Sequence, residues 1–398
     1  MSALANRLSD ASRRLGIESS FEVLARARAL EATGRPVVHL EIGEPNFNTP
    51  EHIKAAGVQA LHDDHTHYTP SAGLPQLRDV IADYAARFRG VAPFSREQVI
   101  VGPGCKPLVW NILSAILQPG DEMIYASPAY PAYACCAGYL GAIPVPIPVR
   151  EEANFRIDLD RLAAAITSKT KLLVLNSPHN PTGGVLTRSD LETIAALVIK
   201  HDLIVLSDEI YCRNVYDGAF SSILEFDGMR ERTVLVDGFS KAYAMTGWRL
   251  GYAVMPVEFA QATNLFNNNT FSCATTFVQY AGIAALQGPD EPIAAMSAEL
   301  HRRRDVLISG LQAIPGISCV VSHGAFYAFP NVSALTQDDQ HFARFLLEEG
   351  GVAVLGGSSF GSEGAGHLRI SYASSMEDIK RGLEALADAI PRYVPAKS

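Results

Sequence analysis

Between residues 97 and 240 the chain alternates short apolar runs with segments of helical periodicity. "EQVIVG", "EMIYAS", "KLLVLNS", "LIVLSDEIY" and "TVLVDGFS" are rich in Val, Ile and Leu and predict strands. "KPLVWNILSAILQPGD", ended by Pro119 and Gly120, and "RSDLETIAALVIKHD" predict helices. Strands that are apolar on both faces and separated by helices predict a mostly parallel sheet sandwiched by helices, an α/β fold. The rhythm changes near residue 290. There "PIAAMSAELHRRRDVLISGLQAI" predicts a long helix, followed by strands at "ISCVVS" and "AFYAFP" and a helix at "DDQHFARFLLEEGG". A strand at "HLRISYA" and a final helix complete the pattern of a smaller α+β domain. The first 45 residues lack the strand–helix rhythm, so the expected domains are 46–290 (large) and 1–45 with 291–398 (small).

Composition narrows the class. The 398 residues are 48% hydrophobic and 19% charged, as in a globular protein with a large core. A formal net charge of −9 without a basic stripe counts against nucleic acid and anionic membrane surfaces as partners. No apolar run approaches a membrane span. The six cysteines, at 105, 135, 136, 212, 273 and 319, form no C-x-x-C pair and read as free thiols. The N-terminal stretch has no apolar signal region, and Asp10 and Glu18 argue against a transit peptide, so a soluble cytoplasmic protein is expected. The eleven histidines show no H-E-x-x-H, and no metal site is expected. "GSSFG" at 357–361 fits G-x-S-x-G, but a glycine-rich stretch follows it where a nucleophile elbow needs a helix.

Five stretches carry candidate chemistry, each with a plainer alternative. In "GFSKAYAMTGWRLGY" the small residues Gly238 and Ser240 let backbone approach a ligand. Lys241 can form a Schiff base when a cation such as Arg249 lowers its pKa; the alternative is a loop lysine. Asp208 closes a buried strand, and ligands in open α/β sheets bind outside such strand ends. A carboxylate there can pair with a pyridinium nitrogen, with Tyr211 in reach; the alternative is a solvated acid. Asn180, inside the turn "NSPHNPTGG", can aim its amide at a ligand oxygen, or simply belong to a well-made turn. In "VGPGCKPLVW", Gly102 and Gly104 join a strand to a helix whose first turn suits Pro107. Such a helix start binds phosphate, yet Pro107 breaks the dinucleotide fingerprint and the Walker pattern is absent. Arg369 in "HLRISYA" can fork onto a carboxylate if buried, or be a surface strand arginine.

Taken together and in order, these stretches resemble the class I pyridoxal-phosphate aminotransferases of fold type I. The resemblance runs from "LEIGEPNFNTPEHI" through "YTPSAGLPQLR", "SPHNPTGG", "SDEIY" and "GFSKAYAMTGWRLGY" to "LRISYA". It implies that Lys241 holds pyridoxal 5'-phosphate covalently and then shuttles the substrate proton. It places Asp208 at the pyridine nitrogen, Tyr211 and Asn180 at the phenolic oxygen, and Tyr130 of "SPAYPAY" on the ring. Gly104, Cys105 and Lys106 match the phosphate loop, with Ser240 and Arg249 beside it. Tyr68 matches a tyrosine that reaches the phosphate of a neighbouring subunit, which implies a homodimer. Arg369, helped by the backbone of Gly43, matches the clamp on the substrate α-carboxylate. The implied reaction is ping-pong transfer of the α-amino group of an L-amino acid to a 2-oxo acid. Glutamate and 2-oxoglutarate are the expected first pair, with aspartate or another small amino acid in the second. A lyase or decarboxylase on the same fold is the alternative. Three positions depart from the pattern: Gly238 where many relatives carry serine, Pro107 where glutamine is usual, and Tyr130 in place of the tryptophan of many aspartate enzymes. Lys106 stands where, by the same resemblance, one subgroup of bacterial aspartate aminotransferases uses a lysine to help bind a distal carboxylate; the alternative is a solvated lysine at a helix start.

Overall fold

A computed structural model describes residue 7, residues 9–15 and residues 19–394. The parts of the expected small domain at 1–6, 8, 16–18 and 395–398 lie outside the described residues.

Seven strands form the central sheet: β1 (Val99–Gly102), β2 (Glu122–Ser127), β3 (Ile143–Pro148), β4 (Thr170–Asn176), β5 (Ile204–Asp208), β6 (Thr233–Gly238) and β7 (Gly251–Val254). Their order across the sheet is β1-β7-β6-β5-β4-β2-β3. Only β7 runs against its neighbours, so β1 to β6 all end on one edge. Register aligns that edge: Asn176 pairs with Asp208, and Gly238 and Gly102 both pair with Gly251.

Alternation within each strand explains why both faces are covered. Leu172 and Val174 pack with Ile100, Leu206 and Val234 beneath the helix Cys105–Ile116. Leu173, Leu175 and Val205 point the other way, onto Leu191, Ile194 and Val198 of the helix Arg188–Lys200. Strand β3, "IPVPIP", carries prolines at alternate positions. Proline cannot donate to a ladder, so β3 pairs on one side only and closes the sheet as an edge.

Beyond β7 the chain builds a second core. Leu300, Leu307, Phe342, Leu346, Ile370, Ile379 and Leu386 pack together from three helices and a strand. The helices are Glu291–Gln312, Asp339–Glu348 and Met376–Ala389. A three-stranded antiparallel sheet places Leu368–Ser371 between Leu355–Gly356 and Tyr327–Ala328. Val38–His39 pairs in parallel with Val352–Ala353, so the early chain joins the late one. The same core takes in Ile210 and Tyr211, just past β5.

Two expected strands differ. Residues 317–322 form no strand; Ser318 makes an isolated bridge to Asn331, and the Cys319 carbonyl accepts from Gln312 Nε2 at 2.8 Å. A side chain of the preceding helix thus meets a backbone group that a ladder would have used. The strand predicted through Tyr211 stops at Asp208, whose Oδ1 accepts from the Ile210 N–H at 3.2 Å and turns the chain.

Arg89, at the end of the helix Pro75–Arg89, ties two strand ends together inside the protein. Its side chain is fully buried, with Nε 2.7 Å from Glu209 Oε2 and Nη2 3.0 Å from Asp237 Oδ2. Glu209 also accepts from Ser207 and Ser222 at 2.8 and 2.7 Å, and Asp237 from Tyr252 at 2.9 Å. A network satisfied this fully is rigid, and removing one member leaves charges buried and unpaired. Arg89→Met is expected to lower stability in urea denaturation by about 3–5 kcal/mol. A loss no larger than that of an exposed arginine substitution would show that the cluster does not hold the strand ends.

Candidate active site

A cavity of about 510 Å³ opens beyond the carboxyl edge of the sheet, where the second core meets it. Its chemistry divides into three regions.

The first lies at the ends of β4 and β5. Asp208 is buried, and its Oδ2 accepts from the Tyr133 hydroxyl at 2.6 Å. Burial pushes its carboxyl up to about 6, although the hydrogen bonds from Tyr133 and the Ile210 N–H pull it back. Asn180 is fixed in its turn by a bond from its own N–H to Asn176 Oδ1 at 2.9 Å. The Tyr211 hydroxyl lies 2.8 Å from that of Tyr327. Lys241, in the loop after β6, donates from Nζ to the Gly43 carbonyl at 2.6 Å. Burial, then the charge of Arg369, lowers its amine to about 8; Arg249 adds to this, while Cys105 and Glu44 oppose it.

The second region is suited to an anion. Ser240, Cys105 and Arg249 share this wall at the start of the helix Cys105–Ile116, where backbone N–H groups are free of helical partners. Gly104 stands behind the wall with φ +97°, and a Cβ there would lie 2.5 Å from Arg249 Nη2. Glycine is therefore required for the guanidinium to lie against the helix start. Arg249 is braced by the carbonyls of Thr246 and Pro103 at 3.0 and 3.3 Å. Gly238 is explained here too: a Cβ would meet Cys105 Sγ at 2.8 Å and Gly251 Cα at 3.0 Å. The glycine and the cysteine are one packing solution, and a serine at 238 would collide with it.

The third region is the mouth. Tyr130 is half-buried, with Lys106 Nζ 5.6 Å from its ring centre and 6.0 Å from that of Phe21. Arg369 is buried, donating from Nη1 to Asn180 Oδ1 at 3.2 Å and from Nη2 to the Glu41 carbonyl. Its guanidinium lies over the rings of Tyr327 and Phe360, at 4.5 and 4.9 Å. Its Nε is buried without a hydrogen-bond partner among the described residues, which leaves the fork with donor capacity for a further acceptor.

Gly43, Cys105, Lys106, Tyr130, Asn180, Asp208, Tyr211, Ser240, Lys241, Arg249 and Arg369 thus share one cavity, and Gly104 backs it. Tyr68 does not line it; it stands on the surface of the chain, 91% exposed. Tyr133, Tyr327 and Phe360 are among the lining residues absent from the sequence-based expectation. Tyr133 follows Tyr130 by three residues in "SPAYPAY", a repeat that could have flagged it; an aromatic in a short strand gives no such signal for Tyr327. Among the described residues no group of three or more His, Cys, Asp or Glu could hold a metal ion, and no helix is long and apolar enough to cross a membrane.

The fold and this cavity define a family. The model of aminotransferase class I and II matches residues 35–386, and the chain belongs to that family. It is a transaminase, moving the α-amino group of an amino acid to a 2-oxo acid. It is 38% identical over 388 residues to the aspartate aminotransferase of Musicola paradisiaca, covering 97% of each chain. It is 38% identical over 370 residues to the asparagine–oxo-acid transaminase of Streptococcus mutans, covering 91% of this chain and 93% of that one. The solved aspartate aminotransferase of Rhizobium meliloti superposes with a TM-score of 0.92 at 35% identity, over 97% of this chain and 99% of that one. None of these carries a lyase or decarboxylase name, and the alternative raised by the sequence finds no support.

In the ligand-free protein the Lys241 amine is expected to react with an amine-directed reagent with a midpoint near pH 8. Exposed lysines titrate at about 10.4. Labelling is read on the peptide that contains Lys241, which separates it from the α-amino group; a midpoint there equal to that of exposed lysines would show that the amine is not shifted.

Proposed function

We propose that the cavity holds pyridoxal 5'-phosphate and that Lys241, Asp208, Arg249 and Arg369 are its principal working groups. The observation that carries this reading is their convergence from distant parts of the chain into one cavity, each with a distinct chemical task. The residues fit the cofactor. A helix start with Ser240, Cys105 and Arg249 suits a dianionic phosphate, backed by Gly104, with the Lys106 backbone in the same first turn. The buried Asp208 carboxylate suits a pyridinium nitrogen, and the Tyr130 ring suits an aromatic face. When bound, the cofactor supplies an aldehyde that condenses with amines and a protonated ring that accepts electrons from the α-carbon.

The geometry supports the following part for each residue. Asp208, ionised, keeps the proton on the ring nitrogen. Tyr211 donates to the phenolic oxygen. Asn180 joins it, because its carbonyl oxygen already faces Arg369 and its NH₂ is the group left to donate. Lys241 would be the residue that holds the cofactor, and its amine, with a pKa already lowered, would be the group that takes the proton from the substrate α-carbon and gives it back. Arg369 receives the substrate α-carboxylate through its fork, with the Gly43 backbone and Asn180 beside it. The same groups run the sequence backwards with a second 2-oxo acid.

Glutamate and 2-oxoglutarate are proposed as one pair, and aspartate or another small amino acid as the second donor. The aspartate and asparagine names of the relatives support a small polar donor, and Lys106 at the mouth is placed to attract a distal carboxylate. We further propose domains at 46–290 and at 1–45 with 291–398, and a cytoplasmic homodimer in which the exposed Tyr68 serves the partner's phosphate site.

The test is an absorbance spectrum of the protein with added pyridoxal phosphate. A visible band, lost on adding L-glutamate with release of 2-oxoglutarate, is the expected result; Lys241→Ala should give no covalent band. A band that ignores glutamate and aspartate alike would overturn the donor assignment, and no band at all would overturn the cofactor. Lys106→Ala is expected to lower kcat/KM for aspartate about tenfold relative to alanine, the loss of one charge-assisted contact. An unchanged ratio between the two donors would remove Lys106 from substrate recognition.

A further inference from the structure

Tyr327 touches both halves of the cavity. It is 1% exposed, and burying a phenol without a partner is costly. Its hydroxyl lies 2.8 Å from the Tyr211 hydroxyl, while its ring lies 4.5 Å beneath the Arg369 guanidinium. It also packs on Gly43, where a Cβ would come within 2.0 Å of the Tyr327 hydroxyl, and the carbonyl of that same glycine holds Lys241. The side chain is fixed at its base as well, since the Tyr327 carbonyl accepts from Ser322 Oγ at 2.5 Å.

In a hydrogen bond shared by two hydroxyls only one of them donates. If Tyr211 donated to Tyr327, its single proton would be spent and it could not donate to a ligand oxygen. If Tyr327 donates, the Tyr211 proton is free to point into the cavity, and the two bonds polarise each other. The charged groups facing the pair are Arg369, Asp208 and Lys241, the last 6.0 Å from the Tyr211 ring centre. We infer that Tyr327 is a positioning residue that acts through Tyr211: its hydroxyl donates to Tyr211, so that Tyr211 donates to the cofactor's phenolic oxygen, while its ring carries Arg369. This rests on the reading that pyridoxal phosphate occupies the cavity.

The chain of two hydroxyls draws negative charge off the phenolic oxygen. That oxygen then holds a proton on the neighbouring Lys241 nitrogen less tightly, and the pH midpoint of the holoenzyme's visible absorbance change is lower than it would be without Tyr327. Tyr327→Phe keeps the ring and removes only the hydroxyl, so it should raise the midpoint by about half a pH unit. Tyr211→Phe should raise it further, and the double variant should match Tyr211→Phe alone, because Tyr327 has nothing left to act through. Tyr327→Leu also removes the ring beneath Arg369 and should raise KM for the amino acid several-fold. A purely structural role would lower thermal stability without moving the midpoint. An unmoved midpoint in Tyr327→Phe, or a double variant shifted by the sum of the two single shifts, overturns the inference and leaves the cofactor reading standing. A wild-type protein with no visible band overturns both.

Discussion

The parallel register of β1 to β6 is the constraint on which the site depends. Strands that run the same way deliver their last residues to one edge, and here those residues are Asn176, Asp208 and Gly238. A helix start, a rigid turn and a lysine loop follow from that edge within a few residues. The buried Arg89 cluster holds the ends of β5 and β6 together from behind. A slip of one residue in either strand would turn Asp208 away from the cavity or carry the Lys241 loop out of reach, because successive side chains face opposite ways.

Charge in the cavity is arranged by separation. The carboxylate of Asp208 is buried against Tyr133, and no cation neutralises it directly among the described residues. Lys241 is bonded to a carbonyl, and its strongest charged neighbour is another cation, Arg369. Each group is thereby held near the point where it can change protonation state in the neutral range. Arg249 and Arg369 have different surroundings, one against a helix start and one over two aromatic rings. The cavity therefore offers two separate arginines, each in its own surroundings, to two different anionic groups.

Local departures from the family pattern have local causes. Gly238 leaves room for the Cys105 thiol, and the thiol in turn donates to the Asp237 carbonyl at 3.2 Å. Loss of a hydroxyl at 238 is therefore coupled to the identity of residue 105 rather than being an isolated deficit. At the mouth, Lys106 between Tyr130 and Phe21 combines a cation with aromatic faces. Phe21 belongs to the helix Ser19–Glu31, so a segment early in the chain helps to define the opening.

The sequence by itself determined the strand–helix alternation, because fully buried strands need continuous apolar runs and covering helices need one apolar face. It also determined the types of reactive group: an acid at a strand end, a lysine in the next loop and an arginine after it are fixed by residue identity and chain order. Tertiary structure decided what those groups experience. Asp208 and Lys241 carry shifted protonation equilibria because distant chain segments exclude water from them and, for Lys241, bring the Arg369 charge near. The partner of Tyr211 is residue 327, brought to it by the packing of the second core against the strand ends, and no local pattern announces that pair. The stretch 317–322 shows the same limit in reverse: its composition suits a strand, yet the Cys319 carbonyl is taken by the side chain of Gln312 from a helix. Hydrophobic pattern reports how much of a segment is buried, whereas hydrogen-bond partners are fixed only when the whole chain has packed.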